Sequence, residues 1–177
     1  MNILLIILTV MAALAALVLI LAAIAKKDFQ LEKQVTVNRP RQDVFDYIKL
    51  IRNQEKYSVW VMRDPPINIT YTGTDGTTGF RSSWTSHDKN VGVGEQEIIK
   101  IEEGNRMEVE IRFEKPFKAT NHAVTSLVPI DNNQTRVSQL FYGRQKYPMN
   151  IMNFMMDKLV GKDMEQNLQN LKKNLEK

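Results

Sequence analysis

The stretch from Ile3 to Ala25 is apolar at every position except Thr9, and the first 25 residues carry no charge. As a helix this run spans roughly 34 Å at about 1.5 Å per residue, enough to cross a hydrocarbon core of about 30 Å. A cleavable signal peptide is the main rival, since Ala23-Ile24-Ala25 has the form of a cleavage site. However, no Lys or Arg precedes the run, and it exceeds the usual apolar core of about 7–15 residues. The expectation is an uncleaved transmembrane anchor over residues 1–27, with the membrane partner being residues 3–25, followed by one domain over 28–177. Lys26 and Lys27 follow the run directly, and nothing basic precedes it. The positive-inside rule then predicts a single-pass protein with its domain in the cytoplasm. Asn68-Ile69-Thr70 and Asn133-Gln134-Thr135 have the form of glycosylation sites, which matter only for a luminal domain, and are read as chance.

All 24 Lys and Arg and all 20 Asp and Glu lie beyond the run, for a net charge of +4. They are interleaved rather than clustered, unlike the basic stripe of a nucleic-acid binder, so no nucleic acid is expected as a partner. The absence of cysteine excludes disulfides, thiolate nucleophiles, iron–sulfur clusters and Cys-based zinc sites. Two histidines, His87 and His122, are a poor basis for a His-rich metal site. Neither a cofactor nor a metal is expected.

Residues 29–37 read as a strand, because Leu31, Val35 and Val37 share one face. Pro40 to Ile51 reads as a helix that starts on a proline, has Asp43 in its first turn, and carries an apolar stripe of Val44, Ile48 and Ile51. A second short helix or turn is predicted to about Trp60, and Asp64-Pro65-Pro66 ends it. From Ile67 to Gly143 the period is two. Strands are expected near 67–73, 79–87, 91–103, 106–114, 117–130 and 134–143, separated by clusters of Gly, Asn, Asp and Pro. Met107, Val109, Ile111 and Phe113 alternate with Glu108, Glu110, Arg112 and Glu114, which gives one face to a core and one to water. From Met149 to Lys177 the pattern is helical. Met164, Leu168, Leu171 and Leu175 form a stripe, extended upstream by Ile151, Met152, Met155 and Leu159, with Gly161 inside the helix. The predicted class is α+β: a seven-stranded curved antiparallel sheet, two short helices, and a long C-terminal helix laid across the concave face.

Several segments carry a resemblance in their order and spacing. They are Val35-Thr-Val-Asn-Arg-Pro40 with Val44-Phe45, Trp60 with Asp64-Pro65, Gly79 with Trp84, and Val91-Gly-Val-Gly-Glu-Gln-Glu-Ile98. Phe113-Glu-Lys-Pro116, Thr135-Arg-Val137, and Met156-Asp-Lys-Leu-Val-Gly161-Lys-Asp running on to Leu168, Leu171 and Lys172 complete the set. Together these resemble the polyketide cyclase/dehydrase-like SRPBCC family, with the START-like, Bet v 1-like helix-grip fold, over residues 28–177. Single-pass anchors also occur in that family. The resemblance implies a pocket for hydrophobic small molecules. Some members are cyclases or aromatases, and the family has no universal catalytic motif. Gln139 stands where similar sequences often carry an aromatic residue, which makes that part of the pocket more polar.

Gly73-x-x-Gly76-x-x-Gly79 superficially suits a phosphate, but such a loop must open a helix, and here a strand follows, so it reads as a hairpin turn. Glu95 and Glu97 would share the apolar face with Val91, Val93, Ile99 and Ile101 if alternation held through that strand. They would then be candidates for acid–base work. A β-bulge near Gly92 and Gly94 would instead turn both into water, and this reading is favoured. His87 belongs to a surface turn, and His122 lies mid-strand with no metal partner or nucleophile near it. Trp60 and Trp84 suit either a pocket lining or plain core, as do Met149, Met152, Met155, Met156 and Met164 on the last helix. Lys158, Lys162, Lys172 and Lys173 read as a solvated face that could also approach anionic lipid.

The expected ligand site is an apolar cavity between the sheet and the helix segment Met152–Leu159. Trp84, Val109, Ile111, Phe113 and Phe141 would point in from the strands and Met155 and Leu159 from the helix, with Gln139 as an orienting polar group. No catalytic residue is assigned. The leading reading is a membrane-anchored binding module for a lipid or other hydrophobic small molecule. A regulatory or protein-interaction domain without a ligand is the alternative, and a cyclase- or aromatase-type enzyme built on Glu95 or Glu97 is a third.

Overall fold

The computed structural model describes residues 2–177. Helix α1, Ile3–Ile24, is long and apolar enough to cross a membrane. Its Thr9 hydroxyl donates to the Leu5 carbonyl at 2.8 Å, so the one polar side chain within it is satisfied internally. Only Ala25, Lys26 and Lys27 separate α1 from the first strand.

Seven strands follow, β1 Asp28–Val37, β2 Asn68–Thr72, β3 Arg81–Thr85, β4 Val93–Glu102, β5 Arg106–Lys115, β6 Ala119–Pro129 and β7 Thr135–Arg144. They form one curved antiparallel sheet in the order β1-β7-β6-β5-β4-β3-β2. Five of the strand connections are short turns, as their Gly, Asn and Asp clusters predict. In the β2–β3 connection Gly73, Gly76 and Gly79 all have positive φ, and the Asp75 carboxylate accepts from the backbone of Ile51 and Arg52 at 2.8 and 3.1 Å. This loop caps a neighbouring helical turn rather than opening a helix of its own.

Between β1 and β2 the chain forms α2, Arg41–Ile48, a 3-10 turn at Ile51–Lys56, and α3, Val59–Arg63. Pro40 caps α2 instead of occupying its first turn, and α3 runs past Trp60. Val44, Phe45 and Ile48 are buried together with Val35, Val37, Leu127, Val137, Leu168 and Leu171. A second cluster joins Ile51, Phe80, Ile98, Met107, Val109, Ala123, Phe141 and Met164. The stripe of α4, Lys162–Leu175, thus enters both halves of the core, and its Met164, Leu168 and Leu171 are buried.

The single long C-terminal helix expected from Met149 onward is broken. Met149–Met155 is a 3-10 segment and Asp157–Gly161 a π turn, and only then does α4 begin. Two causes are visible. Asn150 and Asn153 turn away to bond the end of α1. Further on, Gly161 leaves room beside Asp157, whose Oδ1 would lie 2.5 Å from any Cβ there. Asp157 in turn holds the Lys33 ammonium at 2.9 Å, as does Glu165. These two acids, Glu165 first, hold Lys33 above its ordinary pKa.

Candidate functional site

A cavity of about 270 Å³ lies between the concave face of the sheet and α4. The antiparallel register brings its walls together. Ile111 pairs with Gln96 and Asn121, Val109 with Ile98 and Ala123, and Phe141 with Ala123 and Leu31. These paired residues share the inner face, because neighbours in register point the same way. Trp84, Val109, Ile111, Phe113, Gln139 and Phe141 all line the cavity. Trp84 and Phe113 meet edge to face at 5.9 Å, a favoured aromatic geometry. Gly94 makes this possible, since a Cβ there would lie 2.7 Å from the Trp84 ring.

Met155 and Leu159 are not part of the lining; they are 52% and 46% exposed. The expected position of the cavity under Met152–Leu159 is therefore corrected. The 3-10 and π geometry shifts the phase of the apolar stripe, so Val160, Met164, Leu168 and Leu171 face the cavity instead.

Glu95 and Glu97 lie on the outer face, turned away from the cavity. Register shifts occur between Val93 and Gly94 and between Ile98 and Lys100. The second of these makes Ile99 an extra residue, leaving Ile98 buried and Ile99 exposed. Arg112 Nε binds Glu95 at 2.6 Å and Arg112 Nη2 binds Glu97 at 2.6 Å, and the same guanidinium also contacts Glu110. Glu97 first, then the other two carboxylates, raises the Arg112 pKa further. The three carboxylates are thus occupied in one outer-face cluster. His87 is exposed in its turn, within 3.7 Å of Asp64. His122 is also on the outer face, stacked on Tyr142 at 5.1 Å, and its Nδ1 lies 3.8 Å from Glu108.

The polar part of the cavity wall comes from residues that no local pattern singles out. Gln96 Nε2 donates to Gln54 Oε1 at 2.7 Å across the space between β4 and the 3-10 turn. The Tyr71 hydroxyl donates to the Glu55 carboxylate, and the Arg52 guanidinium lies over the Tyr71 ring at 4.0 Å. Burial, and then Glu55, pushes the Tyr71 phenol above its usual range, so it stays a donor. Asn167 on α4 accepts from the Val59 backbone at 2.7 Å, and Trp84 Nε1 donates to the Val91 carbonyl at 3.3 Å. Gln139 differs from these groups: its Oε1 is buried and has no partner among the described residues. Among them no group of three or more His, Asp or Glu is arranged to hold a metal ion.

Solved structures with the same architecture have low sequence identity to this chain. Norcoclaurine synthase from Thalictrum flavum, solved with dopamine and hydroxybenzaldehyde, superposes with a TM-score of 0.65 at 8% identity, covering 86% of this chain and 88% of that one. A protein from Thermobifida fusca gives 0.58 at 17% identity, covering 82% and 92%. Ara h 8.0201 gives 0.55 at 14% identity, covering 84% and 97%. Likeness at these identities establishes the helix-grip fold, as the segments quoted above imply. None of the curated proteins matches the sequence. The family model described as polyketide cyclase/dehydrase and lipid transport matches residues 28–176, nearly everything after α1, and with the sheet, the gripping helix and the enclosed cavity in agreement, the chain belongs to that family.

Proposed function

We propose that this protein is a membrane-anchored module that binds a lipid or another hydrophobic small molecule in the cavity between the sheet and α4. The observation that carries this reading is the wall itself. Aliphatic and aromatic side chains from β2, β3, β5, β6, β7 and α4 enclose a space close to the lower end of ligand pockets, about 300–1,000 Å³. Gln54 is bonded to Gln96, Tyr71 to Glu55, Asn167 to the Val59 backbone and Trp84 to the Val91 carbonyl, so burying an apolar ligand would not strand these groups. Gln139 Oε1 is the group left to accept from a ligand. The family description, which includes lipid transport, supports the same class of ligand. Glu95 and Glu97 supply no acid–base pair to the cavity, since both are held by Arg112 on the opposite face.

The anchor is α1, and Lys26 and Lys27 beyond it favour a cytoplasmic domain. Protease added to sealed right-side-out cells should then spare the domain. Native mass spectrometry of the detergent-extracted full chain tests the ligand. A co-purified hydrophobic adduct, displaced by an added fatty-acid analogue, is the expected result. If no adduct appears and no hydrophobic ligand in a panel alters Trp84 emission, the binding reading fails and an interaction domain takes its place.

A further inference from the structure

The antiparallel topology gathers the start of β1, the end of β7, and the β3–β4 and β5–β6 turns at one end of the sheet. Helix α1 leaves from this same end. The last carbonyls of a helix have no partner within it, and here a remote segment supplies them. Asn150, fully buried, donates through Nδ2 to the carbonyls of Ala22 and Ala25 at 2.7 and 2.9 Å. Asn153 Nδ2 donates to Lys26 and Lys27 at 2.9 and 3.1 Å. The Gln145 backbone N–H also donates to the Lys27 carbonyl at 2.9 Å. The segment after β7 is therefore clasped to the point where α1 ends, which fixes the height of this end of the sheet relative to any bilayer that α1 crosses.

The surface placed at that height is apolar and basic. Phe154 and Phe117 are 74% and 63% exposed, with Tyr147, Met152 and Met155 also at the surface. Lys26, Lys27, Lys89, Lys115, Lys146 and Lys158 surround them, all exposed and none in an ion pair among the described residues. Of the acids at this end, Asp28 pairs with Arg144, Glu114 with Lys118 and Asp157 with Lys33, while Asp64 accepts from Ser86 and His87 and Asp88 from the Asn90 backbone N–H. Exposed aromatics beside unpaired lysines are the composition of an interfacial segment, with its apolar groups about 5–10 Å into the headgroup boundary and its cations on anionic lipid. Lys172 and Lys173 do not belong to this surface. Lys172 reaches the Thr36 carbonyl, near the other end of β1.

We propose that this end of the sheet is a membrane seat: Phe117 and Phe154 rest in the headgroup layer of the bilayer that α1 spans, and the six free lysines lie against anionic headgroups. The proposal rests on the anchored reading of α1 and adds a second contact to it. The occupant is the bilayer because the clasp at Asn150 and Asn153 leaves this face next to the emerging helix, where a lipid surface must lie.

The chain has no cysteine, so single labels are unambiguous. The full chain would be placed in phosphatidylcholine vesicles with and without phosphatidylglycerol. A fluorophore would be attached in turn to Leu14→Cys, Phe117→Cys, Phe154→Cys and Asn132→Cys, the last in the β6–β7 turn at the far end. Lipid-borne nitroxides, deep in the chains or at the headgroup, would serve as quenchers. The expected result is deep quenching at Leu14, headgroup-level quenching at Phe117 and Phe154 that strengthens with phosphatidylglycerol, and none at Asn132. If Phe117 and Phe154 respond no more than Asn132 while Leu14 is quenched, the anchor stands and the seat is overturned. If Leu14 is unquenched as well, the anchored reading falls, and the seat with it. Quenching at both aromatics that does not change with phosphatidylglycerol overturns the role given to the lysines.

Discussion

Replacing Gln139 by leucine should move stability and ligand affinity in opposite directions. The Gln139 side chain lies on the inner face between Lys33 on β1 and Thr125 on β6. Lys33 is committed to Asp157 and Glu165 at 2.9 Å each, and Gln139 Oε1 is buried with nothing to accept from. An unsatisfied buried acceptor costs about 1–3 kcal/mol. Leucine is close to glutamine in volume and carries no polar atom, so Gln139→Leu removes that cost and leaves little cavity behind. At about 2–4 °C per kcal/mol for a chain of this size, a gain near 2 kcal/mol raises the melting midpoint by roughly 4–8 °C. The same change deletes the acceptor offered to a ligand. A hydrogen bond contributes about 0.5–1.5 kcal/mol net, so affinity for a medium-chain fatty alcohol should fall roughly 2- to 10-fold. The assays are thermal unfolding of delipidated, detergent-solubilised full chain and titration of the alcohol against tryptophan emission. A lower midpoint for Gln139→Leu, or an unchanged affinity, would refute the reasoning, since either means the amide serves the fold rather than the cavity.

Leu168, buried at the contact of α4 with β1 and α2, should lose about 2–5 kcal/mol on truncation to alanine, read as a lower denaturation midpoint; no shift would mean α4 does not close the fold. Ile111→Trp should fill the cavity and abolish the response of Trp84 to fatty-acid analogues, as checked by fluorescence titration. Glu95→Gln should leave ligand affinity unchanged, because its carboxylate binds Arg112 on the outer face, and a large loss would place it in the site after all. Asp64 accepts from the Ser86 hydroxyl and the His87 backbone, which hold its pKa below the usual carboxylate value. A depressed pKa stabilises the fold above the unfolded value near 4 and is lost as pH falls through the folded value. Denaturation midpoints followed down from pH 5 should therefore fall less for Asp64→Asn than for the parent chain.

The strands were legible because each ends in residues that turn and alternates cleanly between. Met107, Val109 and Ile111 announce their inner face in the sequence, and the structure buries or half-buries all three. The outward turn of Glu95 and Glu97 was legible from Gly92 and Gly94, and a register shift does fall between Val93 and Gly94, but the second shift, at Ile99, sits on an ordinary strand residue that carries no local signal. The apolar positions of Met152, Met155 and Leu159 fit an α-helical stripe equally well as a 3-10 or π path. What decides between them is the pull of Asn150 on carbonyls 125 and more positions away, for which no local pattern exists. The polar wall was hidden for the same reason. Gln54 and Gln96 meet across 42 positions of chain, and neither is unusual in its own segment.

The three residues between α1 and β1 span at most about 10 Å when extended, and the asparagine clasp shortens even that. With α1 in a bilayer, the domain has no tether on which to swing toward a facing membrane. A lipid bound in the cavity would then be drawn from that same bilayer, and encounters with it would be set by lateral drift in that sheet of lipid. Capture then scales with the number of molecules per unit of membrane surface, so the protein would sense crowding in its own bilayer while remaining indifferent to the dilute solution beyond it.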